Sequence, residues 1–220
     1  MALQQAALRD WVCLEAQGPD ATAFLHAQLS RAVLELDATH APLAGWADAR
    51  GRVRAVVRVC CAFAPERWLL VTPGDGADDL LNKLRLFVLR SKVTLTRPVN
   101  VGVTALLGDD SAWLAARDVR ASDTPPNRVV RRGDLALIRI GPAYWQAVGT
   151  SSARASFMTG LEETSATEAA LAEIRLGPDG KGQGKAINLA KLAFSKEKNT
   201  LEIENYEREP VRLNEVTVVK

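Results

Sequence analysis

Histidine and cysteine are scarce, with two His and three Cys in 220 residues. The thiols Cys13, Cys60 and Cys61 cannot all pair, and none stands in a C-x-x-C or Cys/His array suited to zinc or an iron-sulfur cluster. They read as buried, reduced thiols. With only His26 and His40 to serve as base, and no G-x-S-x-G, the chain lacks the parts of a serine hydrolase. No apolar run approaches the roughly 20 residues of a membrane span, and the opening MALQQAALRDW lacks the basic-then-apolar layout of a secretory signal, so a cytoplasmic protein is expected. An excess of one charge is missing too. The 28 Lys and Arg against 26 Asp and Glu leave a formal charge of +2, which excludes whole-chain attraction to nucleic acid and leaves local basic patches.

What is present suits a globular chain, since 47% of the residues are apolar and 25% charged, enough for a real core. WVCLEAQ reads as a short strand, followed by Gly18-Pro19 as a turn and Asp20 as a helix cap. Phe24, Leu25, Leu29, Ala32, Val33 and Leu36 then recur at helical spacing, with His26 beside the stripe as a boundary side chain. Between Gly51 and Phe63, Val53, Val57, Val59, Cys61 and Phe63 share one parity and Arg52, Arg54 and Arg58 the other. That alternation predicts a strand with an arginine face, extended by Arg50, which is either solvated or contacts an anion.

Trp68–Val71 predicts another strand, ended by Pro73-Gly74. Ala77, Leu80, Leu81, Leu84, Phe87 and Val88 follow the 3.6-residue period, with Asp75 placed to cap that helix. Further strands are expected at 93–95, 101–107, 129–130, 135–140 and 144–148, with Arg132-Gly133-Asp134 as a hairpin turn. The acidic pairs Asp78-Asp79 and Asp109-Asp110 sit near helix starts, where the macrodipole favours them. Ser165-Ala166-Thr167-Glu168 has capping-box spacing and opens a helix that Gly177 would close. Strands and helices without strict alternation indicate an α+β fold.

Composition changes near Gly177. Residues 1–176 hold 18 Arg and 2 Lys, and residues 177–220 hold 2 Arg and 6 Lys, with all five Trp and all three Cys on the earlier side. The later part opens with the loop PDGKGQGK, continues with a short helix candidate INLAKLAF, and ends in two expected strands, TLEIENYE and VRLNEVTVV. The loop is not a P-loop, because Ala186 follows Lys185 where a magnesium-binding hydroxyl is required. Trp11 shares its parity with Cys13 and Glu15, opposite Val12 and Leu14, so it either packs in the core or offers a flat apolar face to a planar heteroaromatic ligand.

Four of these segments, in order, carry a resemblance: LRDWVCLEAQGPDATAFLHAQL at 8–29, DARGRVRAVVRV at 48–59, LRLFVLRSKVTL at 84–95 and AEIRLG at 172–177. Together they resemble the YgfZ family of folate-binding proteins, relatives of the glycine-cleavage T-protein, an aminomethyltransferase. The resemblance implies a T-protein/YgfZ-like α+β fold of interleaved subdomains around a central cavity, tetrahydrofolate as ligand, and a role in maintaining iron-sulfur enzymes and hence in tRNA modification. It covers residues 1–176 as the folate-binding region and leaves 177–220 as a shortened or divergent C-terminal segment.

By the same resemblance, the family's folate-contacting tryptophan falls on Trp11, and its basic Lys-Gly-Arg-like turn falls on Arg50-Gly51-Arg52, where arginines would attract the glutamate carboxylates of folate. Two family features are absent. A second tryptophan position corresponds to about Ala169, and the signature K-G-C-Y-x-G-Q-E is missing, with Glu197-Lys198-Asn199 where its glycine and cysteine would follow. No cysteine here takes over that role. The roles compatible with the resemblance are a folate-binding protein that is not a conventional enzyme, a folate-dependent aminomethyl transferase, and a scaffold remnant without activity.

Overall fold

The computed structural model describes residues 3–64, 66–108, 110–141, 143–164, 192–195, 200–203 and 211–212. Strand β1 (Gln4–Ala7) leads into β2 (Trp11–Gln17), helix α1 (Ala21–Gln28), a 3-10 turn (Val33–Glu35), β3 (Leu43–Ala47), β4 (Val53–Ala64) and β5 (Arg67–Pro73). Helix α2 (Ala77–Leu86), β6 (Thr94–Thr96), β7 (Val101–Leu107), α3 (Ser111–Ala115) and β8 (Val129–Arg132) come next. The series continues through β9 (Leu135–Gly141), β10 (Tyr144–Thr150), α4 (Ser151–Phe157) and β11 (Glu162–Glu163) to β12 (Leu192–Ser195), β13 (Thr200–Ile203) and β14 (Val211–Arg212).

The strands form a five-stranded sheet, β3-β4-β5-β2-β6, a six-stranded sheet, β11-β1-β7-β10-β9-β8, and a separate three-stranded sheet, β12-β13-β14. Every described pair is antiparallel except β1 with β11. Parity sorts the side chains into layers. On β4, Val57, Val59 and Cys61 point to an outer core shared with Phe24 and Leu25 of α1 and with Leu80, Leu81 and Leu84 of α2. Cys60 points the other way, into a core between the sheets with Cys13, Leu69, Val71, Ala105, Ile138, Tyr144 and Val148. Beyond the six-stranded sheet, Leu106, Leu137, Trp145 and Ala147 meet Leu114 of α3 and Ala153 and Phe157 of α4. The order is therefore helices, sheet, sheet, helices, an α+β arrangement in which both sheets are buried on two faces.

The strands expected from alternation are present, and Arg132-Gly133-Asp134 is the β8–β9 turn, with Gly133 at φ +56°. Asp78 and Asp79 lie in the first turn of α2, and Asp110 caps α3 by accepting the Trp113 amide at 2.8 Å. All three cysteines are buried, and burial pushes the Cys13 thiol up to about 12. No described helix is long and apolar enough to cross a membrane.

Several expectations change. The helix after Asp20 stops at Gln28 instead of running to Leu36, because Leu29 bridges to Trp46 and Ser30 exchanges hydrogen bonds with Gly45, its amide donating to Gly45 O and its hydroxyl accepting Gly45 N–H. A serine hydroxyl competes for backbone partners in this way. Asp20 does occupy the cap position, yet its carboxylate accepts the Lys92 amide at 2.6 Å and no helix amide. Asp75 is not the cap of α2. Gly76 is, at φ +80°, a conformation an aspartate adopts only with strain. In INLAKLAF, residues 192–194 belong to strand β12, so the helix expected there is replaced at its C-terminal end by strand. The strands expected in TLEIENYE and VRLNEVTVV are found over Thr200–Ile203 and Val211–Arg212. The helix opened at Ser165 and the PDGKGQGK loop lie outside the described residues.

Gly18 shows how tightly the turn into α1 is set. Its φ is +135°, and a Cβ there would stand 2.3 Å from the carbonyl oxygen of Lys92. Gly18→Ala is expected to destabilise the fold by about 3 kcal/mol, combining backbone strain with displacement of the 91–93 segment, as urea unfolding would report. A change below about 0.5 kcal/mol would mean the two segments are not held together as described.

Candidate functional site at the open end of the five-stranded sheet

The three residues singled out from sequence lie at one end of the five-stranded sheet, where β2 and β4 begin and β3 and β5 finish. Trp11 opens β2 opposite Pro73 of β5, and its amide donates to Leu8 O at 3.1 Å. The ring is half-buried and packs on the edge of the core between the sheets, on the side of β2 that carries Cys13. Trp11 thus belongs to the inter-sheet face, while Val12 and Leu14 serve the outer core.

The β3–β4 turn is built on one carboxylate. Asp48 Oδ1 accepts the amides of Arg50 (3.0 Å) and Arg52 (3.1 Å), and Oδ2 accepts Arg52 Nε (3.0 Å) and Nη2 (2.8 Å). Gly51, at φ +75°, lets the chain reverse, and its amide donates to Asp48 O. The Arg52 side-chain bonds are the main cause that holds the Asp48 carboxyl down at about 2, against a smaller upward push from desolvation. This gain belongs to the ionised form. It is fully present above the ordinary carboxylate range and is lost as the pH falls through about 2.

Arg52 is consequently a braced cation, half-neutralised by Asp48. Arg50, at the exposed tip of the turn, and Arg54, exposed at the start of β4, have no side-chain hydrogen bond or ion pair among the described residues. Arg54 sits at the irregularity between β3 and β4, where Trp46 pairs with Ala55 and Ala47 with Val53, at the same end of the sheet as Trp11 and with β5 between β4 and β2. The structure places the sequence-named Trp11, Arg50 and Arg52 at one sheet end. Sequence reasoning missed Asp48, whose signal was an acid four residues before Arg52 in a D-x-x-G turn, and it gave Arg54 no separate weight.

The arginine row does not behave as one surface. Arg58 is buried, and its Nη1 donates to Ala41 O at 2.6 Å and to Asn127 Oδ1 at 2.7 Å. It stitches the five-stranded sheet to the loop before β8, so for this residue neither a solvated nor an anion-contacting role holds. On the inter-sheet face of β10, Gln146 is fully buried, with Nε2 donating to Tyr144 Oη at 3.1 Å and Oε1 without a partner among the described residues. A buried acceptor without a donor is uncommon and costly. No group of His, Cys, Asp and Glu among the described residues could hold a metal ion.

The fold has known counterparts. The chain is similar to the glycine cleavage system aminomethyltransferase T from Bartonella henselae, with a TM-score of 0.67 and 15% identity over 80% of this chain and 51% of that one. It is also similar to a chain of the heterotetrameric sarcosine oxidase from Corynebacterium sp. U-96 in complex with pyrrole 2-carboxylate, with a TM-score of 0.51 and 20% identity over 69% of this chain and 77% of that one. At these identities the likeness establishes a T-protein-like α+β fold. The chain spans about half the length of the aminomethyltransferase. No protein-family model and no curated protein matches it.

Proposed function

We propose that the protein is a folate-binding member of the T-protein-like group, close to the YgfZ family, and that tetrahydrofolate is held at the end of the five-stranded sheet. The observation that carries this reading is Trp11, a half-buried indole on the inter-sheet face with the cations of Arg54, Arg50 and Arg52 at the same sheet end. The chemistry of the donor set fits the ligand. An indole face suits a pterin or aminobenzoyl ring, and arginines suit the glutamate carboxylates, each exposed pair contributing about 0.2 to 1 kcal/mol. Arg52 serves mainly through Asp48, as a brace for the turn, and Arg50 and Arg54 supply the free guanidinium groups. Gln146 Oε1, on β10, is a buried acceptor without a partner among the described residues and suits an N–H donor.

In this reading residues 1–176 form the folate-binding region and residues 177–220 a divergent segment. The protein binds folate without turning it over, and supports iron-sulfur enzymes and through them tRNA modification in the cytoplasm. Its partners are then the folate itself and iron-sulfur proteins. The support for these finer roles is the ordered set of four sequence segments together with the shared fold.

Tryptophan fluorescence during a tetrahydrofolate titration tests the binding step. A saturable change that disappears in Trp11→Ala is expected, and its absence in the unmodified chain would remove the proposal. An assay for folate-dependent release of a one-carbon unit from an aminomethyl donor separates binder from transferase. Occupancy without release is expected; release would favour the enzyme.

A further inference from the structure

The loop that leads into β3 and the loop that leads into β8 meet where the two sheets adjoin. Ala41 N donates to Asn127 O at 2.8 Å, Val129 N donates to Thr39 O at 2.9 Å, and His40 forms a backbone bridge with Arg128. β8 ends the six-stranded sheet beside β9, so Thr39 and His40 run along its outer edge. An uncovered strand edge would leave unpaired backbone groups there.

The half-exposed His40 side chain stands between two opposite charges. Its Nδ1 lies 2.8 Å from Asp37 Oδ1, and its Nε2 lies 2.9 Å from Arg128 Nη1, which is 3.5 Å from Nδ1. Thr39 closes the group. Its amide and hydroxyl donate to Asp37 Oδ1 at 2.8 and 2.7 Å, and its hydroxyl oxygen accepts Arg128 Nη1 at 3.0 Å. The bond from His40, followed by those from Thr39, holds the Asp37 carboxyl well below the usual carboxylate range, so Asp37 is ionised and only accepts. A guanidinium only donates. The imidazole therefore carries its hydrogen on Nδ1 and a lone pair on Nε2, since no other protonation state satisfies both neighbours. The further charge at this joint is Arg58 of β4, whose Nη1 meets Ala41 O and Asn127 Oδ1.

We propose that His40 is a proton-operated latch on the outer edge of β8, closed while the ring is neutral and opened when a solvent proton takes the Nε2 lone pair. In the neutral state the ring ties Arg128 to Asp37. In the protonated state Nε2–H faces Nη1–H and two cations stand where a hydrogen bond stood, so the Arg128 contact breaks and the edge of β8 loosens. The bond from Nδ1 to Asp37 survives in both states. The latch does not depend on the folate reading.

Long-range nitrogen–proton NMR of the full chain reads the ring directly, because His26 and His40 are its two imidazoles. At neutral pH the Nδ1–H form is expected for His40, the minor form of a free histidine side chain. Hydrogen exchange then reads the latch. The protection factor of the Val129 amide is expected to fall about fivefold between about pH 7.5 and pH 5.5, and to stay level in His40→Gln, whose side chain does not titrate in that range. Circular dichroism of His40→Gln is expected to match that of the unmodified chain, since the replaced side chain is half-exposed. An Nε2–H ring at neutral pH, a protection factor that does not change with pH, or the same fall in His40→Gln would overturn the proposal.

Discussion

Trp68→Ala is expected to lower the unfolding free energy by about 4 kcal/mol, read from urea unfolding followed by circular dichroism. The indole is 2% exposed at the start of β5, in the outer core beneath α1, and its Nε1 donates to Thr22 Oγ1 at 2.9 Å. Truncation removes one of the largest apolar surfaces in that layer and leaves a cavity that the sheet and helix cannot both close. It also strips the Thr22 hydroxyl of its donor. Trp68→Phe keeps most of the volume and is expected to cost clearly less, about 1 to 2 kcal/mol. If alanine were tolerated as well as phenylalanine, α1 would not be packed on β5 as described.

Arg58→Ala is expected to cost about 3 kcal/mol by the same measurement, from the loss of charge-assisted bonds inside a buried joint. The Ala41 carbonyl and the Asn127 side chain, both met by Arg58 Nη1, would lose that donor between the sheets. Arg58→Lys is expected to recover only part of the loss, because the shorter lysine side chain places its ammonium short of the position from which Nη1 meets both acceptors. Arg54→Ala, four residues earlier on the same strand but exposed, is expected to stay within about 0.5 kcal/mol of the unmodified chain. An equal effect of the two alanine variants would contradict the contrast between a buried stitch and a free cation.

That contrast also marks where sequence stopped being informative. Parity alone separated Val57, Val59 and Cys61 from Arg52, Arg54 and Arg58, because the strand period is a local property. Whether a given arginine is buried depends on what the far sheet brings over it. Asn127 lies 69 positions away and left no trace in the β4 pattern. The same limit explains β1, whose QQAA has no alternation and becomes a strand by pairing with β7 and β11. It explains β3 as well, and the early end of α1, where the bond partners of Ser30 sit 15 residues on.

Long periodic elements such as α2 were legible, since four apolar residues on one face need no tertiary information. Their ends were less so. Asp75 has the right chemistry for a cap, but the turn demanded a left-handed residue, and Gly76 supplied it. In the candidate site, the position of Trp11 and of the basic turn followed from strand assignments. The grip of Asp48 on Arg52 did not, because it arises from the bend of the turn and not from a period.

Calorimetric titration of the full chain with triglutamyl tetrahydrofolate, beside Trp11→Ala, tests the central assignment most directly. One saturable site is expected in the unmodified chain, with affinity about tenfold weaker once the indole is removed, the size of a single ring-stacking contact. Heat signals that are absent from both proteins, or the same in both, would contradict a folate site built on Trp11.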